Sequence, residues 1–283
     1  MAAIALALAS SVLWGLADFL GGVKSRSFSV PVVLACMYLT SLTALAVFVG
    51  ARGEGPPDAD AVAAGLVSGI CGIGALIAFY RALAIGTMSI VAPIASTGVA
   101  LPVIVGLATG DDPGLARSLG LAAAIAGILL ASREATDLPG ERRLQRQSVL
   151  LAIVAGLGIG TYLVLSEVSA RGDVGWALLL SRVAATPFVV VFAVLALRRG
   201  ARRPAPRALL AIAGIGLLDL AANAFYNVST TIGELSTVAV ASSLYPVTTV
   251  LLAAALLGER VRGTQRLGVV LALCGVVLIS AGA

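Results

Sequence analysis

Residues 244–280 read LYPVTTVLLAAALLGERVRGTQRLGVVLALCGVVLIS, which is an apolar segment, a charged turn and a second apolar segment. The turn carries Glu259, Arg260 and Arg262, and each flank approaches the length needed to cross a lipid bilayer. Charged side chains favour the water interface, whereas apolar side chains favour hydrocarbon. The pattern therefore predicts a transmembrane helical hairpin.

A second stretch near mid-chain repeats this pattern. Residues 101–132 read LPVIVGLATGDDPGLARSLGLAAAIAGILLAS. A shift of 148 residues aligns the pair Gly110-Asp111 with the pair Gly258-Glu259. We infer that the chain contains an internal duplication.

The composition points to a membrane protein. Of the 283 residues, 59% are hydrophobic and 12% are charged, and the mean hydropathy is +1.05, whereas soluble domains have about half apolar and about a quarter charged residues. The chain has no histidine, which excludes His-dependent catalytic triads and His-containing zinc sites. Cys36, Cys71 and Cys274 are isolated in apolar runs, so we expect neither a metal site nor a cofactor.

Segments of about 20 apolar residues each correspond to one membrane crossing. On this basis we predict an all-α integral membrane protein. We expect its first helix to stay in the membrane as a crossing and not to be removed as a signal peptide. The ten predicted helices span residues 2–22, 30–50, 60–83, 89–108, 115–132, 148–169, 175–197, 207–230, 235–257 and 264–282. They divide into a first repeat of five (1–132), a cytoplasmic linker (133–147) and a second repeat of five (148–283).

The basic residues predict the orientation. Fifteen of the 19 Lys and Arg residues follow odd-numbered predicted helices, three follow even-numbered ones, and Arg182 lies within the seventh. Because basic loops are retained in the cytoplasm, both termini are predicted to lie on the outer side of the cytoplasmic membrane. The run from Arg198 to Arg207 contains no aromatic residues, so we interpret it as a topology signal and expect no nucleic-acid partner.

The two halves also match within their helices. Phe79-Tyr80 near the end of the third predicted helix corresponds to Phe225-Tyr226 in the eighth, a shift of 146 residues. Five crossings is an odd number, so the second half must enter the membrane with the opposite orientation. The sequence therefore predicts an inverted-topology repeat.

These residues resemble the EamA-type transporters of the drug/metabolite transporter superfamily. The resemblance covers essentially the whole chain and is carried by Trp14-Gly15, by Pro246 followed by Gly258-Glu259-Arg260, and by Gly268 with Gly275. It implies ten helices in two inverted halves. It also implies export or import of small metabolites, amino acids or drugs without an ATPase.

One helix carries a polar stripe that is a candidate substrate site. Asp219, Asn223, Tyr226 and Asn227 are spaced i, i+4, i+7 and i+8, which places them on one helical face. Asp219 is predicted near the middle of the membrane, where a charge costs about 2.5 to 3.5 kcal/mol on insertion scales. The alternative is that the stripe only hydrogen-bonds to neighbouring helices.

Two further charges are predicted within helices. Arg182 lies six residues after Trp176, or about 9 Å below the outer interface at 1.5 Å per residue. It either pairs with Asp219 or binds an anionic group of a substrate, and we expect it to face Tyr38. Asp18, one helical turn after Trp14, is assigned a minor role in the cavity lining.

Other residues complete the candidate site. The aromatic residues predicted to line the cavity are Trp14, Tyr38, Tyr80, Tyr226 and Tyr245. Pro102 and Pro246 are candidate gating hinges because a proline permits a kink. The glycine-rich stretch 156–160 resembles a nucleotide loop but lies in an apolar helix, so we predict that it serves close helix packing.

We predict a secondary transporter that exports a small metabolite, an amino acid or a drug-like solute by alternating access. Its partners are the solute, the lipid bilayer and a proton, which we hypothesise is exchanged at Asp219. Two alternatives from other classes stay open. These are a lipid-linked sugar flippase and an intramembrane enzyme that uses Asp219 together with Asp18.

Overall fold

The structure is a computed structural model of the chain. It describes residues 2–101, 139–232, 244–259 and 263–281, with scattered positions between 115 and 130 and at 238, 241 and 242. The parts of the prediction that lie outside the described residues include most of the fifth predicted helix, residues 102–108 of the fourth with the hinge candidate Pro102, and residues 133–138 of the predicted linker.

The described regular structure is helical throughout. It comprises α1 (Ala2–Ser27), α2 (Val30–Arg52), α3 (Ala59–Ile85), α4 (Met88–Ser96) followed by a 3₁₀ turn (Thr97–Val99), α5 (Pro139–Ala170), α6 (Val174–Arg198), α7 (Pro206–Ile232), α8 (Tyr245–Leu257) and α9 (Gly263–Ala281). Among the described residues, six helices are long and apolar enough to cross a membrane, namely α1, α2, α3, α5, α6 and α7. The predicted all-α class is confirmed for this part of the chain.

The predicted helix bounds agree with α1, α2, α3, α6 and α7 to within a few residues. The sixth predicted helix differs, because α5 begins at Pro139, inside the segment predicted as a linker. That segment is rich in Glu, Arg, Gln and Leu, which are strong helix formers. The helix therefore continues beyond the apolar stretch that crosses the membrane.

The ninth predicted helix is interrupted. Ala241 and Ser242 are helical, Leu244 lies in a turn, and α8 begins at Tyr245. Pro246 therefore lies in the first turn of α8, where the missing N–H of proline removes no helical hydrogen bond. The fourth predicted helix also changes its winding, because a 3₁₀ turn follows Ser96 before helical structure resumes.

Small residues set the distances between helices. A Cβ at Gly15 of α1 would lie 2.5 Å from the Tyr245 carbonyl oxygen of α8, and a Cβ at Gly98 would overlap the Gly156 carbonyl of α5. Such close approach is typical of packing between transmembrane helices. The glycine-rich stretch 156–160 thus serves helix packing, as predicted.

One end of the helix bundle brings together the end of α1, the start of α4 and the turn after α8. Arg26 Nη2 lies 3.0 Å from Glu259 Oε1. The Glu259 carboxylate also accepts hydrogen bonds from the backbone N–H of Met88 (3.3 Å) and from the N–H and hydroxyl of Ser89 (3.0 and 3.1 Å). We call these four residues the Glu259 cluster. Its carboxylate caps the positive N-terminal end of α4.

The far end of α2 carries a second contact between helix termini. Asp173 is the N-cap of α6, and its carboxylate accepts hydrogen bonds from the Trp176 N–H (2.8 Å) and from Arg52 Nη1 (3.1 Å). Partial burial opposes ionisation of this carboxyl. The hydrogen bonds from Arg52 and Trp176 outweigh that effect and hold the pKa of Asp173 below its usual range.

Candidate functional site

The polar stripe lies on a buried face of α7. Asp219 is the central residue of this helix, and Asn223, Tyr226 and Asn227 follow it on the same face. All four side chains are buried, with Asp219 9% exposed and Asn227 fully buried. Because buried polar groups are costly without partners, each needs a contact from a neighbouring helix.

Arg182 of α6 supplies the contact for Asp219. Arg182 Nη2 donates to Asp219 Oδ2 at 2.7 Å, and the guanidinium carbon lies 4.5 Å from the centre of the Tyr38 ring of α2. Arg182 is 3% exposed. Of the two roles predicted for Arg182, the structure shows the ion pair with Asp219, and it agrees with the expected contact to Tyr38.

The two asparagines connect α7 to α5. Tyr162 donates its hydroxyl hydrogen bond to Asn223 Oδ1 at 2.7 Å, and Ser166 donates to Asn227 Oδ1 at 3.2 Å. Asn223 Nδ2 also donates to the Asp219 carbonyl oxygen at 2.7 Å. Part of the polar stripe thus stabilises helix packing, which is the alternative that the sequence left open for it.

A cavity lies beside this stripe and is lined by residues from α1, α2, α3, α5, α6 and α7 and from the start of α8. The centre of a water-sized sphere can occupy about 110 Å³ of this cavity. This volume is enough for several water molecules or a small solute. The residues that line it are Trp14, Asp18, Tyr38, Gly72, Leu76, Phe79, Ser96, Val99, Ile159, Tyr162, Leu163, Arg182, Asp219, Asn223, Tyr226, Ser242 and Tyr245.

Aromatic rings form one wall of the cavity. The Trp14 ring centre lies 5.4 Å from that of Tyr226 and 6.3 Å from that of Tyr245, the second pair in an edge-to-face arrangement. Close packing of α1 on α8 through Gly15 and on α7 through the 2.8 Å hydrogen bond from Ser10 to the Ala222 carbonyl holds Trp14 in place. The wall is therefore rigid and largely apolar.

Asp18 is the carboxylate that the packing leaves unengaged. It is 7% exposed and lines the cavity. Among the described residues it has no hydrogen-bond or ion-pair partner. Sequence reasoning gave Asp18 a minor role, because the pairing of Asp219 with Arg182 cannot be read from the spacing of residues.

Seven of the nine substrate-site candidates lie at the cavity, and two lie elsewhere. Tyr80 is 1% exposed and packs directly against Gly21 of α1. Its hydroxyl oxygen lies 3.4 Å from the Ala17 carbonyl oxygen. Asn227 Oδ1 accepts the hydrogen bond from Ser166, whereas Asn227 Nδ2 is buried without a hydrogen-bond partner among the described residues. Both residues therefore belong to the packing around the cavity in this conformation.

Several residues of the site were not predicted from the sequence. Tyr162 lines the cavity, and Ser166 donates to Asn227 of the polar stripe. They lie four residues apart on α5 just after the glycine-rich stretch, and that i, i+4 spacing of hydroxyl groups is the signal that could have found them. Phe79 and Leu76 of α3 also line the cavity. They contribute shape and no polar group.

Comparisons with known proteins identify the family of the chain. The chain matches the EamA-like transporter family over residues 1–133 and 146–281. A solved structure described only as the crystal structure of a protein aligns with it at 18% identity and a TM-score of 0.63, covering 98% of this chain and 96% of that chain, and this likeness shows the fold alone. None of the curated proteins compared with the chain matches it. The resemblance drawn from the sequence is confirmed. The chain is a multi-pass membrane protein that belongs to the EamA-like transporter family.

Proposed function

We propose that the chain is a secondary transporter of the cytoplasmic membrane that exports a small solute by alternating access, with the cavity as its substrate site. The observation that carries this proposal is a pair of helix interruptions at the cavity. Ser96 and Val99 lie at the first, Ser242 and Tyr245 lie at the second, and a shift of 146 residues relates the two pairs. Helices that break at corresponding positions of two repeats are the usual mark of a transporter substrate site.

The packing of helices supports two inverted halves of five crossings each. In the predicted repeat α1 corresponds to α5 and α3 to α7, and the start of α8 corresponds to the 3₁₀ turn Thr97–Val99. The contact of α1 with α7 thus corresponds to that of α5 with α3, and the contact of α1 with α8 corresponds to that of α5 with the 3₁₀ turn. A pseudo-two-fold axis in the membrane plane accounts for both equivalences.

The family match supports the same division of the chain. It falls in two stretches, 1–133 and 146–281, close to the proposed repeats at 1–132 and 148–283. The segment 133–147 then joins the halves on the cytoplasmic side and continues in part as α5. In this orientation both termini lie outside and the Glu259 cluster faces the cytoplasm.

A proton is the proposed coupling ion, and Asp18 is the carboxylate that suits this role. Arg182 engages Asp219 at 2.7 Å, whereas Asp18 faces the cavity without a partner among the described residues. A carboxylate that exchanges a proton must be reachable from the cavity. We therefore assign the proposed proton exchange to Asp18 and no longer to Asp219.

Counterflow in proteoliposomes tests the transport function. Amino acids, nucleosides and cationic drugs are first ranked by the rise in melting temperature that they cause in the purified chain. The best solute of each class is then loaded into vesicles, and uptake of the labelled solute is followed. Alternating access predicts that the internal solute accelerates uptake. Solute flux that the internal solute does not accelerate would indicate a channel and contradict the proposal.

A matched pair of variants assigns the flux to this cavity. Val99→Trp places a large ring at the cavity wall and is expected to abolish counterflow. Val47 is 67% exposed on α2, on the face that lipid covers, so Val47→Trp is expected to leave counterflow unchanged. Equal counterflow in both variants would show that the solute takes another path.

A further inference from the structure

The cavity contains one carboxyl group that no described protein group engages. Its described lining contains three charged side chains, Asp18, Asp219 and Arg182. The last two form an ion pair at 2.7 Å. Asp18 is 7% exposed and has neither a hydrogen-bond nor an ion-pair partner in the described part of the chain. A buried carboxylate without a partner is costly, so a ligand of opposite charge would stabilise it.

The surroundings of Asp18 suit a cation with an apolar body. Trp14 lies one helical turn before Asp18 on α1, and its ring contacts Tyr226 and Tyr245 at centroid distances of 5.4 and 6.3 Å. The negative faces of aromatic rings attract ammonium groups, and the rings also cover apolar surface. A carboxylate that lines the same cavity as three such rings is an arrangement that suits organic cations.

The charge of Arg182 is already balanced by Asp219. Its Nη2 is bonded to Asp219, its guanidinium lies over the Tyr38 ring at 4.5 Å, and its Nε is buried without a hydrogen-bond partner among the described residues. A carboxylate on a ligand would have to share this one positive charge with Asp219 or displace Asp219 from it. Anions and zwitterions are therefore disfavoured relative to cations.

We propose that the cavity binds a monovalent organic cation, a primary or quaternary amine with an aromatic or apolar body, whose positive nitrogen lies against Asp18. The biological role of this cation rests on the proposed function, since the bound cation would be the exported solute. Binding itself can be measured without transport, so the two proposals fail independently.

Four ligands that share one phenyl skeleton test the charge preference. They are 2-phenylethylamine (cation), 2-phenylethanol (neutral), phenylalanine (zwitterion) and 3-phenylpropionate (anion). Calorimetry at neutral pH on the full chain in lipid nanodiscs measures their affinities, with empty nanodiscs as the blank because amines partition into lipid. We expect the amine to bind at least about tenfold more tightly than the other three. Equal or tighter binding of any other ligand, or no binding of the amine, overturns the proposal.

Two carboxylate variants locate the cation. Asp18→Asn keeps the side-chain size and removes the charge, so affinity for 2-phenylethylamine should fall about tenfold or more while that for 2-phenylethanol stays constant. Asp60 is exposed in the first turn of α3, and Asp60→Asn should change neither. Unchanged amine affinity in Asp18→Asn would overturn the assignment. If this variant does not fold, the ligand series on the unmodified chain decides alone.

Counterflow separates the two proposals. An amine that binds the chain but is not moved across vesicles leaves the cation site standing and removes the transport function. Accelerated exchange of another solute class, without amine binding, supports transport and overturns the cation site.

Discussion

Arg182 lies between the Asp219 carboxylate at 2.7 Å and the Tyr38 ring at 4.5 Å. Removing one charge leaves the other buried without compensation, which costs about 3–5 kcal/mol in protein interiors. We expect Asp219→Asn to lower the free energy of unfolding by about this amount, measured by denaturation in mixed detergent micelles.

The double variant Arg182→Gln/Asp219→Asn supplies the control for this pair. It removes both charges and keeps groups that can hydrogen-bond, so it should recover most of the stability lost in Asp219→Asn. A double variant that is less stable than the single one would show that the ion pair is not the source of the loss. Asp60→Asn, on an exposed position, should have no effect.

Asp173 combines a helix cap with an ion pair. Asp173→Ala removes both, whereas Asp173→Asn keeps an oxygen that can accept from the Trp176 N–H. We expect the alanine variant to be less stable than the asparagine variant by about 1 kcal/mol. Thermal unfolding of the two variants measures this difference, and equal stability would show that the cap contributes nothing.

The same residue gives a pH dependence with a definite sign. The pKa of Asp173 is lowered in the folded state by its hydrogen bonds, relative to about 3.9 in the unfolded chain. The carboxylate's contribution is therefore fully present above about pH 4 and is lost as the pH falls through the folded value. The stability difference between the native chain and Asp173→Asn should shrink on acidification. A difference that grows instead would contradict the assigned contacts.

At the scale of helices, the Glu259 cluster joins three elements through one side chain. Glu259→Gln keeps the shape but removes the charge that faces Arg26 and the start of α4, so this end should lose about 0.5–2 kcal/mol of capping. We expect faster hydrogen exchange at the Met88 and Ser89 amides, measured by mass spectrometry. Unchanged exchange there would mean that the charge is not needed for the cap. Glu54→Gln is the control, because Glu54 pairs with Arg52 at the C-terminal end of α2, away from the Glu259 cluster. It should leave the Met88 and Ser89 amides unaffected.

Helix positions could be predicted from the sequence because the length of an apolar run sets a membrane crossing. The break at Leu244 could not, since Pro246 is compatible both with a kink and with the first turn of a new helix. The early start of α5 at Pro139 was missed for a different reason. A charged segment suggests a loop, but its residues favour helix.

The site was predictable only as far as single helices allow. The stripe from Asp219 to Asn227 follows from helical periodicity, and the structure buries it as one face. The pairing of Arg182 with Asp219 depends on the rotation of α6 against α7, which residue spacing within either helix does not contain. The unengaged state of Asp18 follows from that pairing and was therefore equally hidden.

At the scale of the whole molecule, the most extensive packing among the described helices runs between the proposed halves. α1 packs on α7, α2 on α6 and α3 on α5, and the cavity takes Trp14 and Tyr38 from the first half and Arg182 and Asp219 from the second. Each half alone would expose these contact faces. The two halves should therefore fold as one unit even when the chain between them is cut.

We expect chains 1–132 and 139–283, expressed together, to co-purify through a tag on one of them, and each to be degraded when expressed alone. Their complex should unfold within a few degrees of the intact chain, because the cut removes no described contact between helices. A control cut inside α5, after Gly156, breaks the packing of Gly156 against Gly98 and should prevent assembly. Halves that accumulate separately and do not associate would mean that each is an independent domain. The cavity between them could then not be the transport site.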